Sequence, residues 1–508
     1  MDTDTIVTHR GYSILKSKVD AAATKRLISD LTVCPKLNKK FASPEIQAGL
    51  TFKIFKESST RWYLPRAYGT ETFGPAASSV LSDGLDMPAA AADFKGSPYP
   101  YQTDIINSFL AAGALGLICV PCGKGKTFMA LKIAASLGKR FLVIVDKEFL
   151  MNQWRGEMSV LLPGLRVGIL QGPKSEMDPS KYDCTICMIQ TLCGKEYGEQ
   201  TFRDYGLAIF DECHHLAAQH FSKTLQKIQT KCMLGLSATP TREDGLTKVF
   251  FWFLGKPVYW EKQREPDPTV EAVSVLVKSD EVEYNTVPRD WKGEVVMARL
   301  LTNILGCSER TDEIVRRIVA LCADAGGARK VLVLSERIGH LNEIEKRIAA
   351  ASPSLTMSYY IGGMKEKVRE DGAATARILL ASYAMASEAM NIKTLNTVVL
   401  ASPRKHVEQS TGRILRVRAS ERTVVPLIVD IVDVHSMYRG QWKKRLAYYR
   451  TCAYSLRTET MGLSGADTSG AISGAISGAA EGDRVVGAED GEAEPAPTFT
   501  PGKPMFLN

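Results

Sequence analysis

Along most of the chain, continuous apolar runs alternate with amphipathic stretches, a pattern typical of parallel β-sheets covered by helices on both faces. A first set of apolar runs predicts strands at Leu115–Val120, Arg140–Asp146, Cys184–Ile189, Leu207–Glu212 and Cys232–Ala238. A second set predicts strands at Lys330–Ser335, Met357–Ile361, Arg377–Ser382, Thr397–Ala401 and Val425–Asp433. Prolines and glycines interrupt the pattern at 255–270, so we predict two successive α/β domains, 96–258 and 259–460.

Helical periodicity fills the gaps between these runs. The amphipathic stretches predict helices at Lys126–Leu137, Lys147–Val160, 308–325, 337–350, 406–415 and 436–456. Residues 1–95 combine a helical run at Ala21–Leu31 with short β-like runs at Leu50–Phe55 and Arg61–Arg66, which predicts a small α+β domain ending in a linker at 75–98. Beyond about residue 460 the composition changes to Gly, Ala and Ser, and we predict a disordered tail at 461–508.

Composition and charge set wide limits on function. The 508 residues include 45% apolar and 24% charged side chains and carry a net charge of +8, which permits a polyanionic partner without requiring one. No apolar run approaches the roughly 20 residues of a membrane span, and the polar start MDTDTIVTHR does not resemble a signal peptide. Eleven cysteines are scattered through apolar runs, which favours buried thiols over zinc ligands. We therefore expect an intracellular protein that makes no membrane contact.

Basic and aromatic residues are interleaved in the first 70 residues, where Lys and Arg outnumber Asp and Glu. Phe52, Phe55, Trp62 and Tyr63 stand among them. Such rings can stack on exposed bases while neighbouring cations bind phosphates, which would make residues 1–95 an accessory DNA-binding domain. A small folding cap with a solvated charged face has the same composition. Both interpretations of the N-terminal domain stay open on the sequence.

The segment Leu115–Thr127, LGLICVPCGKGKT, predicts a buried strand, a phosphate-binding loop and the start of a helix. Its two glycines allow the tight turn that points successive N–H groups at one anion, and the helix N-terminus adds partial positive charge. The residues expected to bind nucleotide are Pro121, Cys122, Gly123, Lys124, Gly125, Lys126 and Thr127. Lys126 would reach the β- and γ-phosphates and Thr127 would hold Mg²⁺. Val120 stands where the usual pattern has glycine.

Two further segments complete a predicted hydrolytic site. The apolar run that begins at Leu207 ends in Asp211 and Glu212, which places two carboxylates at the sheet edge beside the loop. Asp211 would hold Mg²⁺ and bind nucleotide through it, and Glu212 would orient and deprotonate the attacking water. In the second domain, Arg413 and Arg416 are three residues apart and would share one face of a helix. This placement suits arginine fingers for the γ-phosphate.

The four motifs GKGKT, DECHH, SAT and QSTGRILR, in this order over two α/β domains, resemble those of superfamily 2 DEAD/DEAH-like helicases. Gln102, the pair Gln153–Trp154 and the element Arg242–Asp244 are similar to the XPB and UvsW type. The ending Ile428–Asp433 with the helix after it resembles the transcript-release helicases of poxviruses and other large DNA viruses. The resemblance covers about 95–450 well and 1–70 weakly. It implies two RecA-like parallel-sheet domains in tandem, with ATP bound in the cleft between them.

The resemblance also implies roles for single residues. Gln102 would read adenine, and Gln409 would contact the nucleotide. The residues that would couple hydrolysis to movement are His214, Ser237, Thr239 and Glu388. The residues that would contact nucleic acid are Gln153, Trp154, Gln190, Thr191 and Arg242. In the region of motif V, 382–392, Ala389 and Asn391 replace the usual Gly and Asp, a change that bears on coupling and not on ATP hydrolysis itself.

Residues and resemblance together predict an ATP- and Mg²⁺-dependent DNA helicase or translocase that acts on duplex, forked or branched DNA. It would serve viral transcription, repair or recombination, with transcription or repair proteins as further partners, in the nucleus, cytoplasm, viral factory or virion. An RNA-directed helicase stays open, because the motifs contact mainly phosphate and sugar. A non-motile ATP-binding regulatory module also stays open, although intact Glu212, Arg413 and Arg416 argue against it.

Overall fold

The computed structural model describes residues 3–36, 43–217, 219–242, 244–261, 265–388, 390, 392–417 and 419–461. The expected tail at 461–508 lies, apart from Met461, outside the described residues. Along the described ranges, no helix combines the length and the apolar character that a bilayer crossing requires. An N-terminal sheet domain is followed by two parallel-sheet domains.

The N-terminal domain is built on a small sheet with three helices. Its strands are β1 (Thr5–Thr8), β2 (Gly11–Leu15), β3 (Thr32–Val33), β4 (Phe52–Lys53), β5 (Lys56–Glu57), β6 (Arg61–Leu64) and β7 (Ser78–Ser79). Its helices are α1 (Ala21–Asp30), α2 (Pro44–Leu50) and α3 (Arg66–Phe73). Five strands form one sheet in the order β5-β6-β2-β1-β7, and β3 pairs with β4 alone. The predicted α+β class of this domain is confirmed.

The aromatic side chains considered for base stacking serve the core of this domain instead. Phe52, Phe55 and Trp62 are only 8%, 7% and 6% exposed. The rings of Phe55 and Trp62 meet edge to face, with centroids 5.6 Å apart. Alternate residues of a strand point to opposite faces, so Trp62 and Leu64 of β6 enter the core while Tyr63 between them is half-buried. The stacking interpretation of Phe52, Phe55 and Trp62 is therefore wrong.

The first parallel-sheet domain has eight strands with helices on both faces. Its strands are β8 (Leu115–Cys119), β9 (Phe141–Val145), β10 (Val167–Gln171), β11 (Lys174–Ser175), β12 (Cys184–Met188), β13 (Leu207–Phe210), β14 (Cys232–Ser237) and β15 (Pro257–Trp260). Its helices are α4 (Pro100–Ala111), α5 (Lys126–Leu137), α6 (Glu148–Leu161), α7 (Ile189–Gly194), α8 (Gln219–Leu225) and α9 (Thr247–Leu254). The order is β11-β10-β12-β9-β13-β14-β8-β15, with only β10 and β11 antiparallel.

The five predicted strands of this domain are confirmed, and three strands were not foreseen. The additional strands are β10, β11 and β15, and β15 pairs with β8 as far as Trp260. The first sheet therefore ends at 260, two residues beyond the expected boundary at 258. Because the long strands are parallel, their carboxyl ends meet at one edge, where α/β folds bind ligands.

The segment expected to be a linker, 75–98, makes hydrogen bonds with both neighbouring domains. Within it, β7 pairs with β1, and the N–H groups of Leu85 and Met87 donate to the carbonyls of Asp204 and Gly138 at 3.0 and 2.8 Å. Nearby, α3 packs on α9, with the rings of Tyr68 and Trp252 5.3 Å apart. The N-terminal domain and the first parallel-sheet domain consequently share one hydrophobic core.

The second parallel-sheet domain has seven strands, all parallel. These are β16 (Glu271–Val277), β17 (Val331–Ser335), β18 (Met357–Tyr360), β19 (Ile378–Ser382), β20 (Thr397–Leu400), β21 (Leu427–Asp433) and β22 (Ser455–Thr460), in the order β18-β19-β17-β20-β21-β16-β22. Its helices are α10 (Val282–Asn285), α11 (Met297–Gly306), α12 (Ser308–Ala323), α13 (Ile338–Ala351), α14 (Glu366–Thr375), α15 (Tyr383–Glu388), α16 (Glu408–Thr411) and α17 (Ser436–Thr451).

Two helices of this domain are shorter than predicted. The helix expected at 406–415 is α16 followed by a tight helical turn, Gly412–Ile414. The helix expected at 436–456 ends at Thr451, and the residues after it form β22, which pairs with β16 through six residues. The alternation of β22 was overlooked because it follows a long amphipathic stretch without an interrupting proline. The predicted tandem of parallel-sheet domains is nevertheless confirmed.

Candidate active site

The phosphate-binding loop connects β8 to α5 at the carboxyl edge of the first parallel sheet. Gly123 and Gly125 have φ of 91° and 83°, in the left-handed region that glycine adopts most readily. A side chain at Gly125 would place its Cβ 2.5 Å from Gln102 Nε2. Because α5 begins at Lys126, Thr127 stands in its first turn. The loop thus has the shape that the sequence predicts, at the positive end of a helix.

Gln102 holds this loop in place. Its side chain is buried; Oε1 accepts the N–H of Tyr99 at 3.0 Å, and Nε2 donates to the carbonyl of Lys124 at 3.1 Å. The hydroxyl of Tyr101 donates to the same carbonyl at 3.2 Å. The amide therefore bridges the start of α4 and the loop, while its recognition of adenine stays a prediction.

Three charged side chains meet beside the loop. Asp211 and Glu212 follow β13, and Lys126 Nζ lies 3.9 Å from Glu212 Oε1. The carboxylate of Asp211 accepts the N–H of Glu212 through Oδ1 at 3.0 Å. Glu212 has a φ of 42°, a strained backbone conformation of the kind that collects at functional sites. This turn brings the carboxylate pair next to the lysine, as the sequence predicts.

The surroundings of Asp211 and Glu212 shift the pKa values of the two carboxyl groups in opposite directions. Burial and the neighbouring charge of Glu212 raise the pKa of Asp211 to about 6. Burial alone would raise the pKa of Glu212 as well, but Lys126 and the nearby histidines hold that pKa below its usual range. Glu212 is therefore ionised at neutral pH, as a general base must be. Asp211 is the carboxyl group that most needs a cation beside it.

The side chain of Trp154 contacts this cluster and is not exposed at the surface. It lies on α6, is 1% exposed, and its indole Nε1 donates to Asp211 Oδ2 at 2.8 Å. The expected contact of Trp154 with nucleic acid is therefore wrong. The reason is helical geometry, because Trp154 belongs to the buried face of α6 with Leu150, Met151 and Met158.

His214 joins the carboxylates to the segment after β14. Its Nδ1 lies 3.0 Å from Ser237 Oγ and 3.4 Å from Glu212 Oε2. The hydroxyl oxygen of Ser237 accepts the N–H of Thr239 at 3.1 Å. Burial lowers the pKa of His214 to about 4, so the ring is neutral at pH 7. Three of the predicted coupling residues are thus in mutual contact, and their coupling role stays a prediction.

The second domain supplies the two predicted arginine fingers. Arg413 is buried in the turn after α16, and its Nε and Nη1 donate to the carbonyls of Ala386 and Met390 at 2.6 and 2.8 Å. Arg416 Nη2 donates to the carbonyl of Met390 at 2.9 Å. Arg413 lies within electrostatic range of Lys126 and Glu212, and Arg416 within range of the loop residue Cys122.

A cavity of about 250 Å³ lies between the two domains, beside the start of the phosphate-binding loop. From the first domain and the segment after it, the lining residues are Pro121, Cys122, Ala238, Thr239 and Glu261. From the second domain they are Glu408, Gln409, Tyr448, Thr451 and Cys452. The predicted nucleotide ligand Gln409 thus shares one cavity with the start of the phosphate-binding loop. Residues of both domains are needed to build this site.

Known proteins resemble the chain along most of its length. Residues 95–242 match the family model described as "Type III restriction enzyme, res subunit". A protein named as an ATP-dependent RNA helicase in Acanthamoeba polyphaga mimivirus is 30% identical over 462 residues, which are 89% of this chain and 86% of that protein. The chain belongs to the superfamily 2 helicases.

One further relative and one solved structure resemble this helicase. A protein of Halobacterium salinarum named as the DNA 3'-5' helicase Rad25 is 34% identical over 163 residues, 31% of this chain and 26% of that protein. A solved structure of a variant of S. cerevisiae Dbp5, bound to RNA and ADP BeF3, has a TM-score of 0.51 at 10% identity and covers 72% of this chain and 90% of that one. That structure shares the fold. ATP-dependent helicase activity is thus the activity of the family to which the chain belongs.

The nucleic-acid contacts predicted for this helicase divide into two groups. Gln190 is exposed, with Nε2 donating to the carbonyl of Asp146 at 2.7 Å, and Gln153 is half-buried on α6, so both stay predictions. Thr191 is buried, and its hydroxyl oxygen accepts the N–H of Gly172 at 2.9 Å. The Thr191 side chain therefore closes a turn inside the first domain, and the expected contact of this residue with nucleic acid stays a prediction.

Arg242 also serves the interior of the first domain. Its guanidinium pairs with both carboxylate oxygens of Asp244, at 2.9 and 2.5 Å, and Nη1 donates to the carbonyl of His214 at 2.5 Å. Every nitrogen of the guanidinium thus has a protein partner in this structure, and the expected contact of Arg242 with nucleic acid stays a prediction. Arg242 thereby fixes the main chain at His214, one end of the contact with Ser237.

The region of motif V is only partly described. Glu388 ends α15, but its side chain and residues 389 and 391 lie outside the described part of the chain. The coupling role of Glu388 therefore stays a prediction.

The sequence reasoning missed the contacts that the connecting segment makes with the loop. Lys124 Nζ pairs with Glu265 Oε1 at 2.8 Å and with Glu261 Oε1 at 3.3 Å, both in the segment that joins the two parallel-sheet domains. Lys124 also lies over the ring of Tyr101, 5.2 Å from its centroid. The only available signal was position, since glutamates between two α/β domains form no motif.

Proposed function

We propose that this helicase hydrolyses ATP with Mg²⁺ and uses the hydrolysis to move along DNA. The observation that carries the proposal is the approach of charged groups from two domains, in which the guanidinium of Arg413 lies within electrostatic range of Lys126 and Glu212. Asp211, Glu212 and Lys126 stand on one side, and Arg413 and Arg416 stand on the other. A group that bridges this cleft responds to the distance between the domains, which is how hydrolysis and domain movement are linked in such enzymes.

The residues divide the hydrolysis among them. Lys126 and the N–H groups of the loop bind the β- and γ-phosphates. Glu212 accepts a proton from the water whose oxygen attacks the γ-phosphorus, while the bond from that phosphorus to the β-phosphate oxygen breaks and ADP leaves. Arg413 and Arg416 balance the charge that spreads over the γ-phosphate oxygens in the transition state. The strained turn at Glu212 holds the base on the loop side of the sheet edge.

The donor set on the first domain fits Mg²⁺. Thr127 and Asp211 offer the hydroxyl and carboxylate oxygens that a hard divalent cation prefers. Two carboxylates face a single ammonium group at this point, so the cluster has negative charge that a cation would balance. Held by Thr127 and Asp211, the metal would supply neutralising charge to the phosphates.

The preference for DNA rests on two supports. The element Arg242–Asp244 after SAT is similar to the XPB type of DNA helicase, and Arg242 and Asp244 form a paired structure that reaches His214. A relative that matches 31% of this chain is named as a DNA helicase. Transcription, repair or recombination at an intracellular or virion location, with protein partners of those processes, completes the proposal.

RNA is the second candidate substrate. The mimivirus relative that covers most of the chain is named as an RNA helicase. Contacts to phosphate and sugar do not distinguish the two nucleic acids by themselves, but the 2′-hydroxyl does.

One comparison tests both candidates. ATP hydrolysis is measured with the full chain alone, with single-stranded and forked DNA, and with RNA of the same sequences. We expect DNA to stimulate hydrolysis more than RNA, and forked DNA to be unwound with ATP and Mg²⁺. Stronger stimulation and unwinding with RNA would transfer the proposal to RNA. Hydrolysis without any strand displacement or movement would favour a binding switch.

A further inference from the structure

Helix α6 makes a direct contact with the carboxylate assigned to Mg²⁺. Trp154 Nε1 donates to Asp211 Oδ2 at 2.8 Å, and the indole is almost completely buried. A hydrogen bond to a charged acceptor in such a site is among the stronger kinds. The second oxygen of Asp211 accepts the N–H of Glu212 at 3.0 Å. With one donor on each oxygen, the carboxylate cannot rotate without breaking a bond.

The same helix also contacts the second domain. Asn152 Nδ2 donates to Glu366 Oε2 on α14 at 2.7 Å. Glu157, one turn after Trp154, lies within electrostatic range of Arg416. Three neighbouring positions of α6 therefore face the metal-binding carboxylate, a helix of the second domain and a candidate arginine finger. A shift of the second domain against α6 would therefore change the position of Trp154.

We propose that Trp154 is a positioning residue that holds Asp211 in the orientation needed to bind Mg²⁺ and ties that orientation to the position of α6. The proposal rests on the proposed function, which makes Asp211 the ligand of the metal. Partners of metal ligands commonly change metal affinity by about 10–100-fold when they are removed. A residue that only fills the core would leave the metal affinity unchanged.

The test replaces the indole while keeping an aromatic ring, in Trp154→Phe. The matched control is Trp442→Phe, because Trp442 Nε1 also donates to a side-chain oxygen, Ser274 Oγ at 2.9 Å, in the second domain. Binding of ADP with a fluorescent label on its ribose is measured with the full chain, in EDTA and over a series of Mg²⁺ concentrations. Trp154→Phe should bind this nucleotide normally in EDTA but need about tenfold more Mg²⁺ to tighten binding. Trp442→Phe should match the wild type.

The outcomes separate this proposal from the proposed function. Asp211→Asn should abolish the Mg²⁺ effect; if it does not, Asp211 is not the ligand and the proposed function needs another metal site. If Asp211→Asn abolishes the effect while Trp154→Phe keeps the wild-type Mg²⁺ requirement, Trp154 is an ordinary core residue and the present proposal is wrong. An equal loss in EDTA and in Mg²⁺ would also overturn it, because such a loss reports damage to the whole nucleotide site.

A second measurement avoids dependence on the stability of Trp154→Phe. The wild-type chain has six tryptophans, which can be labelled with 5-fluorotryptophan and observed by ¹⁹F NMR. Single replacements of the other five assign the Trp154 signal by elimination. Addition of Mg²⁺ to the ADP-bound chain should shift this signal, since its indole N–H contacts the metal-binding carboxylate. A Trp154 signal that ignores Mg²⁺ while nucleotide binding tightens would contradict the proposal.

Discussion

The two halves of the active site hold their charged groups by different means. In the first domain, side chains hold the charged groups, since Trp154 donates to Asp211 and Ser237 contacts His214, while Gln102 holds the loop through the carbonyl of Lys124. In the second domain, main-chain carbonyls of Ala386 and Met390 fix both arginines. A network of side chains can rearrange and change its protonation. A guanidinium bound to main-chain carbonyls instead keeps its charge and moves only with its domain. We therefore call the first-domain side of the site the adjustable half, because its side chains can rearrange. We call the second-domain side the fixed half, because its arginines reach the site only through movement of the domain.

The largest expected effect breaks the fixed half. Arg416→Ala should lower the rate of nucleic-acid-stimulated ATP hydrolysis by about 10³–10⁵-fold, the range known for arginine fingers, with little change in ATP affinity. Steady-state hydrolysis and nucleotide binding measure the two quantities. Arg347→Ala is the matched control, because Arg347 pairs with Glu343 and Asp312 within the second domain. A fall of only about twofold would make Arg416 a structural arginine and remove the contrast between the halves.

A smaller effect breaks the adjustable half. Glu212→Gln removes the proton acceptor, so we expect hydrolysis to slow by about 10²–10⁴-fold while ATP still binds. Lys126→Ala should instead weaken the binding of ATP itself, since the ammonium contacts the phosphates. Single-turnover hydrolysis and nucleotide titration distinguish the two variants. Hydrolysis at the wild-type rate by Glu212→Gln would exclude Glu212 as the base.

A pH series sharpens the comparison, because only the first half should titrate near neutrality. Burial and Glu212 raise the pKa of Asp211 to about 6 in the metal-free chain, and burial with Arg413 nearby lowers the pKa of Arg416 to about 10, so Arg416 stays charged up to pH 8. Protons compete with Mg²⁺ for Asp211, so the Mg²⁺ requirement for nucleotide binding should rise by up to about tenfold per pH unit below pH 6.

The sign of the accompanying stability change follows from the raised pKa. Asp211 is protonated more readily in the folded metal-free chain than in the unfolded one, so stability is fully present near pH 4 and falls as the pH rises through about 6. Thermal unfolding of the wild type in EDTA should show this fall, and Asp211→Asn should lack it. An identical pH profile for the two proteins would place the titrating group elsewhere.

The smallest expected effect concerns β22, the edge strand of the sheet in the second domain. A chain cut after Arg457 loses the second half of β22 and the ion pair of Glu459 with Arg317, whose charged atoms lie 2.6 Å apart. We expect the melting temperature to fall by about 3–8 °C, corresponding to roughly 1–3 kcal/mol. A chain cut after Met461 is the control and should melt as the full chain does. Equal melting of both shortened chains would mean that β22 adds nothing to the second sheet.

The sequence predicted the adjustable half better than its supports. Lys126, Asp211 and Glu212 lie together as expected, because loop, strand end and helix start impose their own spacing on them, while their roles in hydrolysis stay predictions. Trp154 was misplaced because a motif spacing does not say which face of α6 a residue occupies. The hydrophobic positions one turn away, Leu150 and Met158, were the missed signal.

The fold was predicted where apolar runs were long and continuous. Buried parallel strands such as β9 are apolar at every position, whereas β15 and β22 include proline or polar residues and were missed. The mostly apolar strand β16 was missed as well, because it follows the interrupted segment 255–270. Contacts between domains, such as those of Lys124 with Glu261 and Glu265, leave no periodic signal at all. Tertiary packing alone decides them.

The shared core of the N-terminal domain and the first parallel-sheet domain has a consequence for inheritance. Tyr68 from one and Trp252 from the other form a single aromatic contact, and Arg66 donates to the carbonyl of Lys231 at 2.8 Å across the same boundary. A lineage that exchanged residues 1–95 for another accessory domain would expose the apolar side of α9 to water, at a cost that grows with the area exposed. Substitutions on α3 and α9 should therefore be inherited as pairs.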